Sequence, residues 1–172
     1  MKEYLIVDGY NIIGAWPELA KLKDVELEEA RDRLIGMLAD YQAYSGMKVY
    51  LVFDAYKVPG LGGKYVESKL EIVYTREKET ADELIERLSL SLIGRRRHVY
   101  VATSDMAEQS VIFGQGAYRL TARELLVKVK QSRRDVEERI QNKDVFKKNS
   151  IDGALPDDIK QIFEKWRRGG QD

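Results

Sequence analysis

Tyr4-Leu5-Ile6-Val7-Asp8-Gly9-Tyr10-Asn11 carries an apolar run out of the N-terminus and ends it on a carboxylate, a glycine and an amide. The run Glu3–Val7 is short and continuously apolar, the pattern of a strand buried on both faces of a parallel sheet. Ligands of such sheets collect at the carboxyl ends of the strands, so Asp8 falls where chemistry is usually done. An Asp-Gly pair is also an ordinary turn former, and Gly9 suits either a tight turn or the close approach of a substrate. What favours chemistry is that the chain repeats the move. Val49–Phe53 closes on Asp54, Val99–Ala102 leads into Thr103-Ser104-Asp105, and a helix starts beside Asp82.

Working outward, Pro17–Leu22 reads as a loop or short helical turn. Asp24 is placed to cap a long helix whose apolar face is Leu27, Ala30, Leu34, Leu38 and Tyr41, and Gly46 ends it. Pro59, Gly60, Gly62 and Gly63 make residues 55–65 a loop, and Leu70–Tyr74 is a third strand. Thr80 with Glu83, and Thr121 with Glu124, have the spacing of capping boxes, which leaves Asp82 unused by its own cap. The second of these helices continues through Leu126, Val129, Val136 and Ile140. Residues 142–155 look like a linker, and Pro156 begins a final helix bearing Ile159, Ile162, Phe163 and Trp166. The alternation of strands and helices predicts a three-layer α/β/α sandwich around a mainly parallel sheet. Its main domain is 1–141, with 142–172 a linker and C-terminal helix.

The bulk figures narrow the class. A chain of 172 residues, 44% hydrophobic and 34% charged, is of ordinary globular composition. It has no cysteine, so thiolate metal sites, disulfides and a cysteine nucleophile are excluded. The apolar run before Asp8 is too short for a signal-peptide core or a membrane span, which predicts a cytoplasmic protein without a membrane partner. Net charge is zero, but residues 1–94 carry 12 Lys/Arg against 17 Asp/Glu and residues 95–172 carry 17 against 12. An acidic half and a basic half suit a carboxylate site beside a polyanion-binding surface, and equally a dipolar surface.

If the strands are parallel, Asp8, Asp54 and Asp105 come from one edge of the sheet and Asp82 joins them from a helix N-terminus. Clustered carboxylates oppose each other's ionisation unless a cation neutralises them. Hard oxygen donors suit Mg²⁺ or Mn²⁺, which can activate a water against a phosphate and stabilise the leaving oxygen. Each residue has a plain alternative. A strand-end Asp turns the chain, and Asp82 or Asp105 complements a helix dipole. Only the recurrence at equivalent positions argues for a site. The single His98 lies just before a strand and reads as structural. No GxxxxGK[ST] loop is present, and Gly114-Gln115-Gly116 follows no strand, so neither an NTPase nor a dinucleotide fold is supported.

Val7-Asp8-Gly9-Tyr10-Asn11, Phe53-Asp54, Thr80-Ala81-Asp82-Glu83 and Thr103-Ser104-Asp105 together resemble the NYN domain of the PIN-like nuclease superfamily. The resemblance is closest to the bacterial YacP-like group, through Gly14-Ala15-Trp16-Pro17, Phe113–Ala117 and Phe163–Gly169, and it covers essentially the whole chain. It implies a metal-dependent endoribonuclease with Asp8, Asp54, Asp82 and Asp105 around Mg²⁺ or Mn²⁺. Asn11 would orient Asp8 or the phosphate. The resemblance further implies mRNA as substrate and the ribosome as partner. RNA contacts are expected from Lys57 and Lys64 on the glycine-rich loop, Arg76 and Lys78 before the Asp82 helix, and Arg119 and Arg123 near the next cap, with Tyr10 and Tyr56 available for stacking. Arg95-Arg96-Arg97 is the densest basic run but belongs to the opposite edge. Two other classes stay open: a non-catalytic RNA- or ribosome-binding module of the same fold, and a phospho-acceptor domain using Asp54.

Overall fold

In a computed structural model of the chain, residues 1–55, 63–67, 69–105, 114 and 116–151 are described, with the backbone alone for 63–67 and 149–151. The chain divides into two compact units, Met1–Arg133 and Arg134–Asp172. The first unit holds a six-stranded sheet, and its elements run β1 (Lys2–Asp8), α1 (Gly9–Ala15), α2 (Pro17–Val25), α3 (Leu27–Ser45), β2 (Lys48–Phe53), β3 (Gly63–Glu67), β4 (Leu70–Tyr74), α4 (Ala81–Leu92), β5 (Arg97–Ala102) and β6 (Tyr118–Leu120). A last helix, α5 (Ala122–Ile151), belongs to the first unit up to Arg133 and to the second from there on.

The strand order is β3-β4-β2-β1-β5-β6. β4, β2, β1, β5 and β6 are parallel, and β3 pairs antiparallel with β4 at one edge. The expected α/β/α sandwich is the observed one. Alternation along the strands sorts the core into two faces. Leu5 and Val7 with Val49, Leu51 and Phe53 pack under α1, α2, α3 and the start of α5, where Ala30, Leu34, Leu38, Leu125 and Val129 are buried. Ile6, Val52, Val99 and Val101 face α4 through Leu84 and Ile85. Trp16, at the junction of α1 and α2, ties the larger layer together, its buried Nε1 donating to Ala122 O at 2.8 Å.

Several boundaries differ from the sequence reading. The segment after Asp8 is helical rather than a turn, because Ile12 and Ile13 supply a fully buried face. Gly9 is the first residue of that helix. Its role is packing: a Cβ there would stand 2.4 Å from the Phe53 ring and 2.8 Å from Val52 O. Asp24 caps nothing, since it lies inside α2, and Glu26 is the N-cap residue of α3. Gly46 ends α3 as expected, in the left-handed conformation at φ 74°. Residues 63–65, expected in a loop, join β3, where Lys64, Tyr65 and Val66 pair with Val73, Ile72 and Glu71. Tyr65 and Val66 are residues that favour strands, and the ladder with β4 outweighs Gly63. Residues 142–151, expected in a linker, continue α5. The rest of the glycine-rich loop and the final helix lie outside the described residues.

Candidate functional site

Parallel pairing puts the carboxyl ends of five strands on one edge, and the register aligns them closely. Asp8 is opposite Val52 and Val7 is opposite Ala102. Asp54 therefore follows β2 two positions beyond the Asp8 level, and Thr103-Ser104-Asp105 leaves β5 beside it. β4 ends at the same edge, and the short connection Thr75–Thr80 delivers the N-terminus of α4, with Asp82 in its first turn. All four sequence-predicted carboxylates thus belong to one rim of the sheet.

Local hydrogen bonds fix most of that rim. Asp8 occupies the N-cap position of α1, yet its side chain makes no capping bond, so helix capping does not explain it. It is also 92% removed from solvent, at 8% exposure, unusual for a carboxylate placed to form a surface turn. Asn11 reaches across 93 positions. Its Oδ1 accepts from Ser104 N at 2.6 Å and from Ser104 Oγ at 2.8 Å, joining α1 to the loop after β5. A backbone N–H can meet only the oxygen of the amide, so the Asn11 orientation is set by chemistry. Its Nδ2 then has no partner among the described residues and remains a donor for a ligand oxygen.

Asp54 is held from the neighbouring strand. Thr75, almost fully buried, donates its hydroxyl to Asp54 Oδ1 at 3.4 Å and accepts from Ala55 N at 2.9 Å, while its own N donates to Phe53 O. Asp105 is turned by the same device, its N donating to the buried Thr103 Oγ1 at 3.1 Å. Before α4, Glu79 accepts from Arg76 N at 3.1 Å and pairs with Arg87 at 3.1 Å, closing a tight turn through Lys78, whose φ is 63°. Thr80 then caps α4, accepting from Glu83 N at 3.2 Å. Only this half of the expected capping box forms, since Glu83 makes no return bond among the described residues. Thr75, Ser104 and Glu79 are the holding residues that the sequence did not single out.

Among the described residues no group of three or more His, Cys, Asp or Glu side chains is arranged to hold a metal ion. The donor chemistry nevertheless suits a hard cation. Mg²⁺ is commonly held by one or two carboxylates, its own waters and substrate phosphate rather than by an all-protein cage. A rim of strand-end carboxylates beside an amide donor meets that requirement without a preformed cluster.

The expected RNA contacts are scattered more widely. Arg76 and Lys78 are exposed in the turn before α4, and Arg123 is exposed in the first turn of α5, just past the carboxyl end of β6. Arg119 is exposed within β6 itself. Lys57 and Tyr56 lie outside the described residues, as does the side chain of Lys64. Tyr10 is committed to the core on one side, its ring 5.0 Å from that of Phe53. Arg97 pairs with Lys2 at the start of β5, so the Arg95–Arg97 run does belong to the amino edge. His98 lies within β5, edge-on to Tyr118.

The YacP-like NYN domain model matches residues 5–168, nearly the whole chain. The chain belongs to the YacP-like NYN family. It is 48% identical over 170 residues to the uncharacterized protein YacP of Bacillus subtilis strain 168, covering 99% of each chain. The crystal structure of Rae1 (YacP) from Bacillus subtilis is 49% identical, with a TM-score of 0.74 over 96% of this chain and 95% of that one. A Trp-to-Leu mutant of the same protein gives 47% identity and a TM-score of 0.73 over 83% of each chain. The NYN fold is nuclease-like and supports an RNA-related nuclease function. Among the described residues no helix is long and apolar enough to cross a membrane.

Proposed function

We propose that this YacP-like NYN protein is a metal-dependent endoribonuclease that cuts mRNA in association with the ribosome, and hence works in the cytoplasm. The observation that carries the reading is the rim itself. Asp8, Asp54, Asp82 and Asp105 come from four separate segments to one sheet edge, with Asn11 bonded across it to Ser104. A Mg²⁺ or Mn²⁺ ion bound there would supply Lewis-acid stabilisation of the phosphate and a water acidic enough to act as nucleophile near neutral pH. Asp8 and Asp82 are the central ligands in this reading, and Asp54 and Asp105 complete the site or hold its waters. Thr75 keeps the Asp54 carboxylate directed, and the Asn11 amide nitrogen donates to a phosphate oxygen. Arg76, Lys78, Arg119 and Arg123 neutralise the strand on either side, with Lys57 and Lys64 as further contacts.

The test is cleavage of a translated mRNA by purified protein in the presence of ribosomes and Mg²⁺ or Mn²⁺. Asp82→Asn should lose at least about 100-fold in rate, since a metal ligand supplies several kcal/mol and each 1.36 kcal/mol is tenfold. Unchanged cutting by that variant would sink the mechanism. That no three-carboxylate group is preformed among the described residues favours one competing reading, a binding module without catalysis. That reading gains if ribosome co-sedimentation survives Asp8→Asn and the wild type yields no cleavage product.

A further inference from the structure

Arg31 stands apart as a partly buried cation of the sheet unit. It sits in the early part of α3, which ends at Gly46 just before β2 begins at the amino edge of the sheet. A 19-residue helix is long enough to cross the whole sheet at 1.5 Å per residue, so its beginning lies toward the carboxyl rim. The Arg31 side chain is half-buried, and its Nη1 donates to the Tyr10 hydroxyl at 3.4 Å. Among the described residues no carboxylate is within ion-pair distance of it. The other partly buried cation among the described residues of the unit is matched, Lys48 with Glu71 at 3.4 Å, and even the exposed Arg87 and Arg33 pair with Glu79 at 3.1 Å and Glu18 at 2.9 Å. A guanidinium partly withdrawn from water and offered only a neutral hydroxyl lacks the anion that would offset its desolvation.

Tyr10 explains where that anion would be. In the chain it lies between Asp8 and Asn11, and its ring packs on Phe53, the residue before Asp54. Arg31 is therefore anchored to a side chain wedged between two of the segments that carry the rim carboxylates. We propose that Arg31 binds a backbone phosphate of the RNA strand next to the one being cut, with Tyr10 as the positioning residue that aims its fork. The planar guanidinium presents paired donors that match phosphate oxygens, which a lysine in the same place does not. The identity of the anion rests on the nuclease reading; the unmatched cation does not.

Binding of a fluorescent single-stranded RNA oligonucleotide, followed by anisotropy in EDTA over a range of KCl concentrations, tests this without any cleavage. Arg31→Gln should weaken binding about tenfold, the usual scale for a charge-assisted contact, and should flatten the slope of log affinity against log salt by about 0.7, one phosphate contact on a single strand. Arg31→Lys should restore the slope but not the full affinity, and Tyr10→Phe should lose affinity with the slope intact. Urea midpoints close to wild type keep these losses from being read as unfolding, and the lysine variant serves if the glutamine variant does not fold. Equal affinity and slope for Arg31→Gln and wild type would overturn the proposal, as would no binding by wild type at low salt. Unchanged mRNA cutting by Asp82→Asn would instead remove the nuclease reading and leave the binding result standing.

Discussion

At the scale of single residues, the proposed site is a rim of carboxylates stitched by contacts between residues distant in sequence, Thr75 with Asp54 and Asn11 with Ser104. Asn11→Ala removes the acceptor for both Ser104 bonds, whose lengths are 2.6 and 2.8 Å. It should cost about 1 kcal/mol in urea unfolding and should lower cleavage far more than stability, because it frees the loop that carries Asp105. Ser104→Ala keeps the backbone half of the contact, and cleavage assays should show a smaller loss. Thr75→Val, nearly isosteric, leaves Ala55 N without its acceptor and should destabilise by about 1–3 kcal/mol. The placement of the four Asp residues along one sheet edge was legible because each follows a strand-like run or opens a capped helix. Thr75 and Ser104 were not, since their partners lie 21 and 93 positions away and no local pattern announces them. Nothing in the sequence separates Arg31 from Arg33 either; only their burial and partners do.

Among elements, local chemistry was readable where a residue acts on its own backbone. Thr80 and Thr121 cap α4 and α5 as their spacing requires, and Thr80→Ala should lower stability by about 1 kcal/mol in denaturant unfolding. The strands were readable from their apolar runs. The first helix was hidden for a physical reason: at 7 residues with no side-chain cap, it depends on burial of Ile12 and Ile13 rather than on propensity. Asp24 misled because α2 runs on to Val25, against the preference of a carboxylate for a helix N-terminus, and leaves the N-cap position of α3 to Glu26. β3 was hidden by the glycines before it, since ladder pairing with β4 is a tertiary contact. Gly9→Ala offers the sharpest element-level test. The added methyl meets the fully buried Phe53 ring, and thermal or urea unfolding should show a loss of about 1–3 kcal/mol as the strand end and α1 are pushed apart.

The whole sheet unit carries the proposed site at its carboxyl edge and an aromatic group toward its amino edge. Burial raises the pKa of Tyr41, Tyr50 and Tyr100 above the ordinary 10.0, with Glu3 adding to Tyr41 and Tyr100 and Glu71 to Tyr50. The unfolded chain therefore loses these protons first. Their contribution to stability is complete below about pH 10 and declines as pH rises from there through the raised folded values. Urea midpoints measured from pH 9 upward should fall more steeply for wild type than for Tyr41→Phe. None of this touches the rim, whose proposed role is tested by how the RNA is cut. The most direct measurement is the chemistry of the new ends after cleavage of a ribosome-bound mRNA with Mg²⁺. A water activated at the Asp8–Asp54–Asp82–Asp105 rim leaves 5′-phosphate and 3′-hydroxyl ends, and these should vanish with Asp82→Asn or EDTA. A 2′,3′-cyclic phosphate, or the same ends from Asp82→Asn at the wild-type rate, would contradict it.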